Sequence, residues 1–126
     1  MDKEILFMRT YYTYILTNYT NSALYVGFTN SIVRRMYEHK NHLVDRYFDK
    51  YNCTKLVYYE EYADANKAIC REKIIKGKLR SKKIALVNSQ NPNWIDLSKN
   101  WGIPILSPEE REIQKQDLKE FNKSKV

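Results

Sequence analysis

The stretch RTYYTYILTNYTNSALYVGF, residues 9–28, decides the fold. Arg9 to Thr17 is rich in β-branched and aromatic residues, the composition of a strand. Asn18 to Ser22 is a cluster of turn formers, and Ala23 to Phe28 reads as a second strand. A short polar link between two such runs predicts a β-hairpin. With the turn centred between Tyr19 and Thr20, Tyr14 falls opposite Tyr25. Cross-strand neighbours share a face, so the two phenols are expected side by side, either as ordinary strand packing or as a reactive pair.

Working outward, Asn30 or Ser31 is a candidate N-cap for a helix from about Ile32 to His39 or on to Leu43. Ile32, Met36 and Leu43 mark its apolar stripe. At about 100° per residue, His39 falls inside that stripe and Arg35 at its edge. Lys55 to Tyr62 is a third strand, with Leu56, Tyr58 and Glu60 on one face and Val57, Tyr59 and Glu61 on the other. Asp64 is a good N-cap for a helix running to about Leu79, with Gly77 near its end. Ser81 is a candidate cap for a further helix to about Ser89, broken by Asn91-Pro92. Asn93 to Pro104 is irregular. Ser107 caps a last helix that has Pro108 at its first position and Glu109 and Glu110 in its first turn. The order ββαβαα plus a C-terminal helix predicts an α/β (α+β) fold, a small, largely antiparallel three-stranded sheet flanked by helices rather than a doubly wound fold. The expected division is a domain over 1–97 and a helical C-terminal extension over 98–126.

The helix after Asp64 holds the most telling local signal. Its inward stripe is Ala65, Ala68, Ile69, Ile75 and Leu79, and at about 100° per residue Glu72 lands in the middle of it. A carboxylate there is costly unless it pairs with a cation, binds a metal or loses its charge. One reading is an ion pair, with Arg35 or with Lys76 on the same stripe. The other is a ligand for a single hard divalent ion, since magnesium often takes only one or two protein carboxylates.

Composition bounds the function. The chain has 126 residues, 43% hydrophobic and 29% charged, which suits one compact domain with a tail. Two cysteines, Cys53 and Cys70, with no CxxC pair, argue against a zinc site or a disulfide framework. With no leader pattern and no apolar run long enough to span a membrane, cytoplasmic residence is expected. The net charge is +7, and its excess is local: Asp64 to Asn91 holds eight basic residues against two acidic ones. Such a patch is the usual footprint of a phosphate backbone, although a solvated lysine-rich helix face gives the same charge.

Together these segments form an ordered pattern. Tyr12-Thr13-Tyr14-Ile15-Leu16, Leu24-Tyr25-Val26-Gly27, Arg34-Arg35, Glu38-His39-Lys40, Arg71-Glu72-Lys73-Ile74-Ile75-Lys76 and Asn91-Pro92-Asn93-Trp94-Ile95-Asp96-Leu97 resemble the GIY-YIG nuclease domain, especially its small stand-alone bacterial members. The similarity spans roughly residues 9 to 97. The glycine and isoleucine of the first motif are Tyr12 and Thr13 here.

The resemblance implies a metal-dependent endonuclease acting on DNA with one Mg2+ or Mn2+ ion. By position it makes Tyr14 and Tyr25 the motif tyrosines, Arg35 the catalytic arginine, Glu72 the metal ligand and Asn91 the late asparagine. His39 falls where members carry a tyrosine or histidine. A phenol becomes a usable base only if its pKa falls, so either tyrosine could take the proton from water. Arg34, Lys40, Lys73, Lys76, Lys78, Lys82 and Lys83 are then candidates for holding the nucleic acid. Trp94 and Trp101 are expected to pack rather than stack on bases. The alternative is a nucleic-acid-binding module without turnover. Oligomeric state is left open.

Overall fold

The computed structural model describes residues 9–44 and 50–124. The N-terminal eight residues of the expected 1–97 domain and the last two of the chain lie outside them. The elements are β1 (Tyr11–Thr17), β2 (Leu24–Thr29), α1 (Ile32–Lys40), β3 (Lys55–Tyr62), α2 (Ala65–Lys76), α3 (Arg80–Gln90) and α4 (Pro108–Ser124). The sheet is antiparallel, in the order β2-β1-β3. The expected ββαβαα order with a C-terminal helix is therefore observed. No helix of the described residues is long and apolar enough to cross a membrane.

The hairpin register differs from the expected one. Tyr14 pairs with Gly27, and Tyr25 with Leu16, a shift of two residues. The cause lies in the loop. The Asn18 side-chain oxygen accepts from the backbone N–H of Ser22 (2.9 Å) and of Ala23 (3.0 Å), and Asn21 takes a left-handed φ of 59°. An asparagine folded onto its own loop lengthens the connection beyond a symmetric turn. Because side chains alternate with period two, a shift of two keeps both tyrosines on one face.

The alternation expected for β3 also breaks. Ile15 pairs with Tyr58 but Leu16 with Leu56, so Val57 is the extra residue of a β-bulge. Leu56 and Tyr59 consequently share one core cluster with Tyr14, Leu16, Ile32 and Met36. Val57 and Tyr58 join the other, with Ile15, Val26, Ile75 and Val87. One cluster lies under α1 and the other under α2 and α3. Trp101 and Ile103 pack on the first and Trp94 on the second, as the packing reading of the tryptophans expects.

Helix boundaries follow local chemistry. Ser31 accepts from the N–H of Arg34, and Asp64 from that of Asn66. Ser107 and Glu110 cap each other's backbone N–H reciprocally, at 3.2 and 3.1 Å, in a capping box. Two expectations fail. α2 ends at Lys76 with Gly77 as its C-cap, so Leu79 leaves the stripe and is 73% exposed. Leu79, not Ser81, occupies the N-cap of α3, without a side-chain bond.

The loop after α3 closes the sheet through polar hubs. The Asp96 carboxylate accepts from the N–H of Leu56 (3.2 Å), the N–H of Ser98 (3.0 Å) and the Ser98 hydroxyl (2.6 Å), and pairs with Lys40. Burial works to raise the Asp96 pKa, but Lys40 and Ser98 outweigh it and hold the group below its usual value. A carboxyl with a depressed folded pKa stabilises the fold above its unfolded pKa and loses that contribution as pH falls through the folded value. The urea midpoint is therefore expected to fall below about pH 4, with a shallower fall in Asp96→Asn. Identical pH profiles for the two proteins would contradict this account of Asp96.

Candidate active site

The site begins with Tyr14, in the central strand and fully buried. Its ring lies over Gly27 on the edge strand. A Cβ placed on Gly27 would stand 2.5 Å from both the Cζ and the hydroxyl oxygen of Tyr14. The glycine is thus required for close approach. Gly27→Ala is expected to cost about 1–3 kcal/mol, because the rigid buried phenol must move. Urea unfolding checks this; an unchanged midpoint would contradict it.

Tyr25 and His39 complete an aromatic cluster. Ring centroids are 6.1 Å apart for Tyr14 and Tyr25, 6.4 Å for Tyr14 and His39, and 5.6 Å for Tyr25 and His39. His39 is buried one turn beyond Arg35 on α1, as the stripe predicts. Arg35 is half-buried and donates from Nη1 to Glu38 at 3.3 Å. Tyr25, Arg35, Glu38 and His39 line one pocket of about 320 Å³.

The electrostatics separate the two tyrosines. Burial pushes the Tyr14 pKa well up, the neighbouring Tyr25 adds to this, and Arg35 pulls only partly the other way. Tyr14 therefore stays a neutral phenol. Burial works against the charge on Arg35, but Tyr14, Glu38 and Tyr25 outweigh it and raise its pKa. Among the described residues, the Tyr14 hydroxyl and the Arg35 Nε are both buried with no well-formed hydrogen bond. Such poorly paired groups are costly, and the two side chains act on each other, each shifting the other's pKa through charge and an imperfect hydrogen bond.

Glu72 comes from the other layer. α2 packs across β1 and β2, tied to β1 by the Thr13 hydroxyl, which donates to the Ala68 carbonyl at 2.7 Å, one turn before Glu72. This bond gives the buried Thr13 hydroxyl its partner. Glu72 is 17% exposed at its side chain and pairs with Lys76 at 3.0 Å, not with Arg35. Lys76 and Lys83 in turn line a second pocket, of about 330 Å³, with Tyr25 and Tyr51. Glu72 itself lines neither of these two pockets.

The donor set bears on a metal. Glu72 offers one carboxylate whose partner, Lys76, is half-exposed and able to swing away. Among the described residues no group of three or more His, Cys, Asp and Glu could hold an ion. One oxygen ligand fits a hard divalent ion that keeps most of its own water, not a zinc cage.

Several expected residues have other work. Lys40 is largely buried and paired with Asp96, so it is not available to a phosphate. Asn91 is buried and donates from Nδ2 to the carbonyls of Val57 (3.1 Å) and Ile95 (2.9 Å) while its oxygen accepts from the Ile95 N–H (3.1 Å). With both ends of its amide engaged by backbone, it holds the loop after α3 to β3 and does not reach into the tyrosine cluster to react. Arg34 is exposed and donates to Asn30 at 2.9 Å. Lys73 and Lys82 are exposed, and Lys78 and Lys83 half-buried. Sequence reasoning missed Arg71, which binds the Glu60 carboxylate through Nε (2.9 Å) and Nη2 (3.1 Å). The signal lay in Glu60, a carboxylate within a strand needing a cation.

Residues 10–85 match the family model described as the GIY-YIG catalytic domain, and the chain belongs to the GIY-YIG family. Membership supports a nuclease-type function and a nucleic-acid substrate. A UPF0213 protein of Clostridium perfringens is 34% identical over 80 residues, 64% of this chain and 85% of that protein. A second UPF0213 protein, from Limosilactobacillus reuteri, is 30% identical over 92 residues, 71% of this chain and 95% of that one. The solution structure of a UPF0213 protein from Bacillus halodurans has 24% sequence identity, a TM-score of 0.44, and coverage of 72% of this chain and 96% of that one.

Proposed function

We propose that the protein is a metal-dependent endonuclease that hydrolyses phosphodiester bonds in DNA. The observation that carries this reading is the pair of buried polar atoms, the Tyr14 hydroxyl and the Arg35 Nε, neither in a well-formed hydrogen bond among the described residues, in a cluster with Tyr25 and His39. A packing core gains nothing from them, whereas a phosphate bringing anionic oxygens gives both a partner.

In this reading Arg35 supplies fixed positive charge to the phosphate oxygens. Tyr25, half-buried and lining both pockets, releases its own proton to solvent and as phenolate takes the proton from the attacking water. Tyr14 stays protonated and donates a hydrogen bond. His39 orients the phenols from below. Glu72 would hold a single Mg2+ or Mn2+, which supplies Lewis-acid stabilisation of charge on phosphate and leaving oxygen. Asn91 is a positioning residue. Lys73, Lys76, Lys78, Lys82 and Lys83, together with Arg34, steer the backbone toward β2, while the free Cys53 and Cys70 suit a reducing cytoplasmic setting.

The test is a cleavage panel of plasmid, single-stranded, branched and RNA substrates with Mg2+ or Mn2+, run beside Glu72→Ala. Ion-dependent cutting of DNA that is lost in Glu72→Ala is the expected result. Undiminished cutting by that variant would overturn the assignment. Salt-dependent binding with no cutting under either ion would favour a binding module.

A further inference from the structure

The pocket holding Tyr25, Arg35 and His39 is completed by Leu118 and Asn122, side chains of the C-terminal helix α4. This helix lies beyond the family match, which ends at residue 85. The curated relatives align over 85% and 95% of their own length to only 64% and 71% of this chain. The wall is therefore not part of the matched domain, yet it stands against the residues assigned to chemistry.

Its attachment is firm at the root and loose beyond. Asn41, buried at the end of α1, donates to the Pro104 carbonyl at 2.9 Å and accepts from the Leu106 N–H at 2.6 Å, and the capping box starts the helix just after. Past that point little is buried. Ile113 and Leu118 remain 62% and 38% exposed. A gap of about 370 Å³ separates the helix from residues 42–44. Among the described residues the Arg111 Nε is buried without a hydrogen-bond partner, which weakens the docking further. A helix with so few buried apolar contacts opens at low free-energy cost.

We infer that α4 is a displaceable wall of the catalytic pocket, swinging on the Asn41-anchored segment 104–107 and competing with nucleic acid for the face that carries Tyr25 and Arg35. This rests on the nuclease reading for the substrate class, but its tests do not require turnover. A strand must move Leu118 and Asn122 aside to bring a phosphate to Arg35. The helix therefore lowers affinity for anything too thick to share the pocket.

Two measurements test this. The first is the affinity of a short fluorescein-labelled single-stranded DNA in EDTA for the full chain, Leu118→Ser and Gln116→Pro. The proline breaks the helix ahead of the wall without altering the pocket's own side chains. Both variants are expected to bind about three- to tenfold more tightly, the range for an open form populated at roughly a third to a tenth. Ile113→Ser, on the exposed side, is expected to bind as the unaltered protein does. Unchanged or weaker binding by both wall variants overturns the proposal. The second is hydrogen exchange on the unaltered protein. Added oligonucleotide is expected to deprotect amides of 112–122 while protecting those around Tyr25 and Arg35. Retained protection in 112–122 when the other amides become protected overturns it as well. If no DNA is cut under any ion but these binding results hold, the nuclease reading fails and the wall stands.

Discussion

Arg35→Ala is expected to slow DNA cleavage about 10²–10³-fold, the usual loss when one preorganised charge donor is removed from a water-poor site. The residue is suited to such an effect. It is half-buried, its Nη1 is held by Glu38 at 3.3 Å, and its Nε makes no well-formed hydrogen bond among the described residues. Its fork is therefore oriented before substrate arrives. Arg35→Lys is expected to recover little, because an ammonium cannot reproduce the planar donor pair. Thermal unfolding is expected to change little in either variant, since the Arg35 side chain is partly exposed and its bond to Glu38 is long, at 3.3 Å. Single-turnover cleavage beside a melting curve checks both halves. A rate within a few-fold of the unaltered protein would remove Arg35 from the chemistry.

The two tyrosines are expected to part company. Tyr25→Phe is expected to lower the rate about 10²–10⁴-fold, the span for loss of a general base. Tyr14→Phe is expected to lose less rate and to gain stability. Its buried hydroxyl makes no well-formed hydrogen bond among the described residues, and such a group costs about 1–3 kcal/mol, part of which phenylalanine recovers. The ionisation argument points the same way. Burial and the neighbouring phenol keep Tyr14 protonated despite Arg35, so it serves as a donor rather than a base. Rates for the two variants, with urea midpoints alongside, decide the matter. Full loss in Tyr14→Phe with near-normal cleavage in Tyr25→Phe would reverse the roles.

Much of this architecture was legible in the residues. The third strand and the caps at Asp64 and Ser107 follow from period and local hydrogen bonding, and the structure keeps them. The shared face of Tyr14 and Tyr25 was legible too, because a two-residue error in register cannot move a side chain to the other face. The register itself was not, since it depends on how Asn18 folds onto its own loop. The bulge at Val57 was hidden because KLVYYEEY alternates equally well with or without it.

The site was legible where burial and polarity conflict. His39 falls inside an apolar stripe and is buried there, beside the phenols. Residues that bond across distant loops were not legible. Asp96, Asn41 and Asn91 read locally as turn formers, yet each gathers backbone groups from segments far along the chain. Lys40 was read as a phosphate ligand for the same reason, since its partner Asp96 lies 56 residues away.

Whether the acidic group of α2 and the phenols of the hairpin serve one reaction is best asked with Mn2+ titrated into isotope-labelled protein, following paramagnetic broadening of the backbone amides. The account expects broadening centred on Glu72 that extends to Tyr25 and Arg35 and disappears in Glu72→Ala. Broadening that spares Tyr25 and Arg35, or that persists without the Glu72 carboxylate, would contradict it.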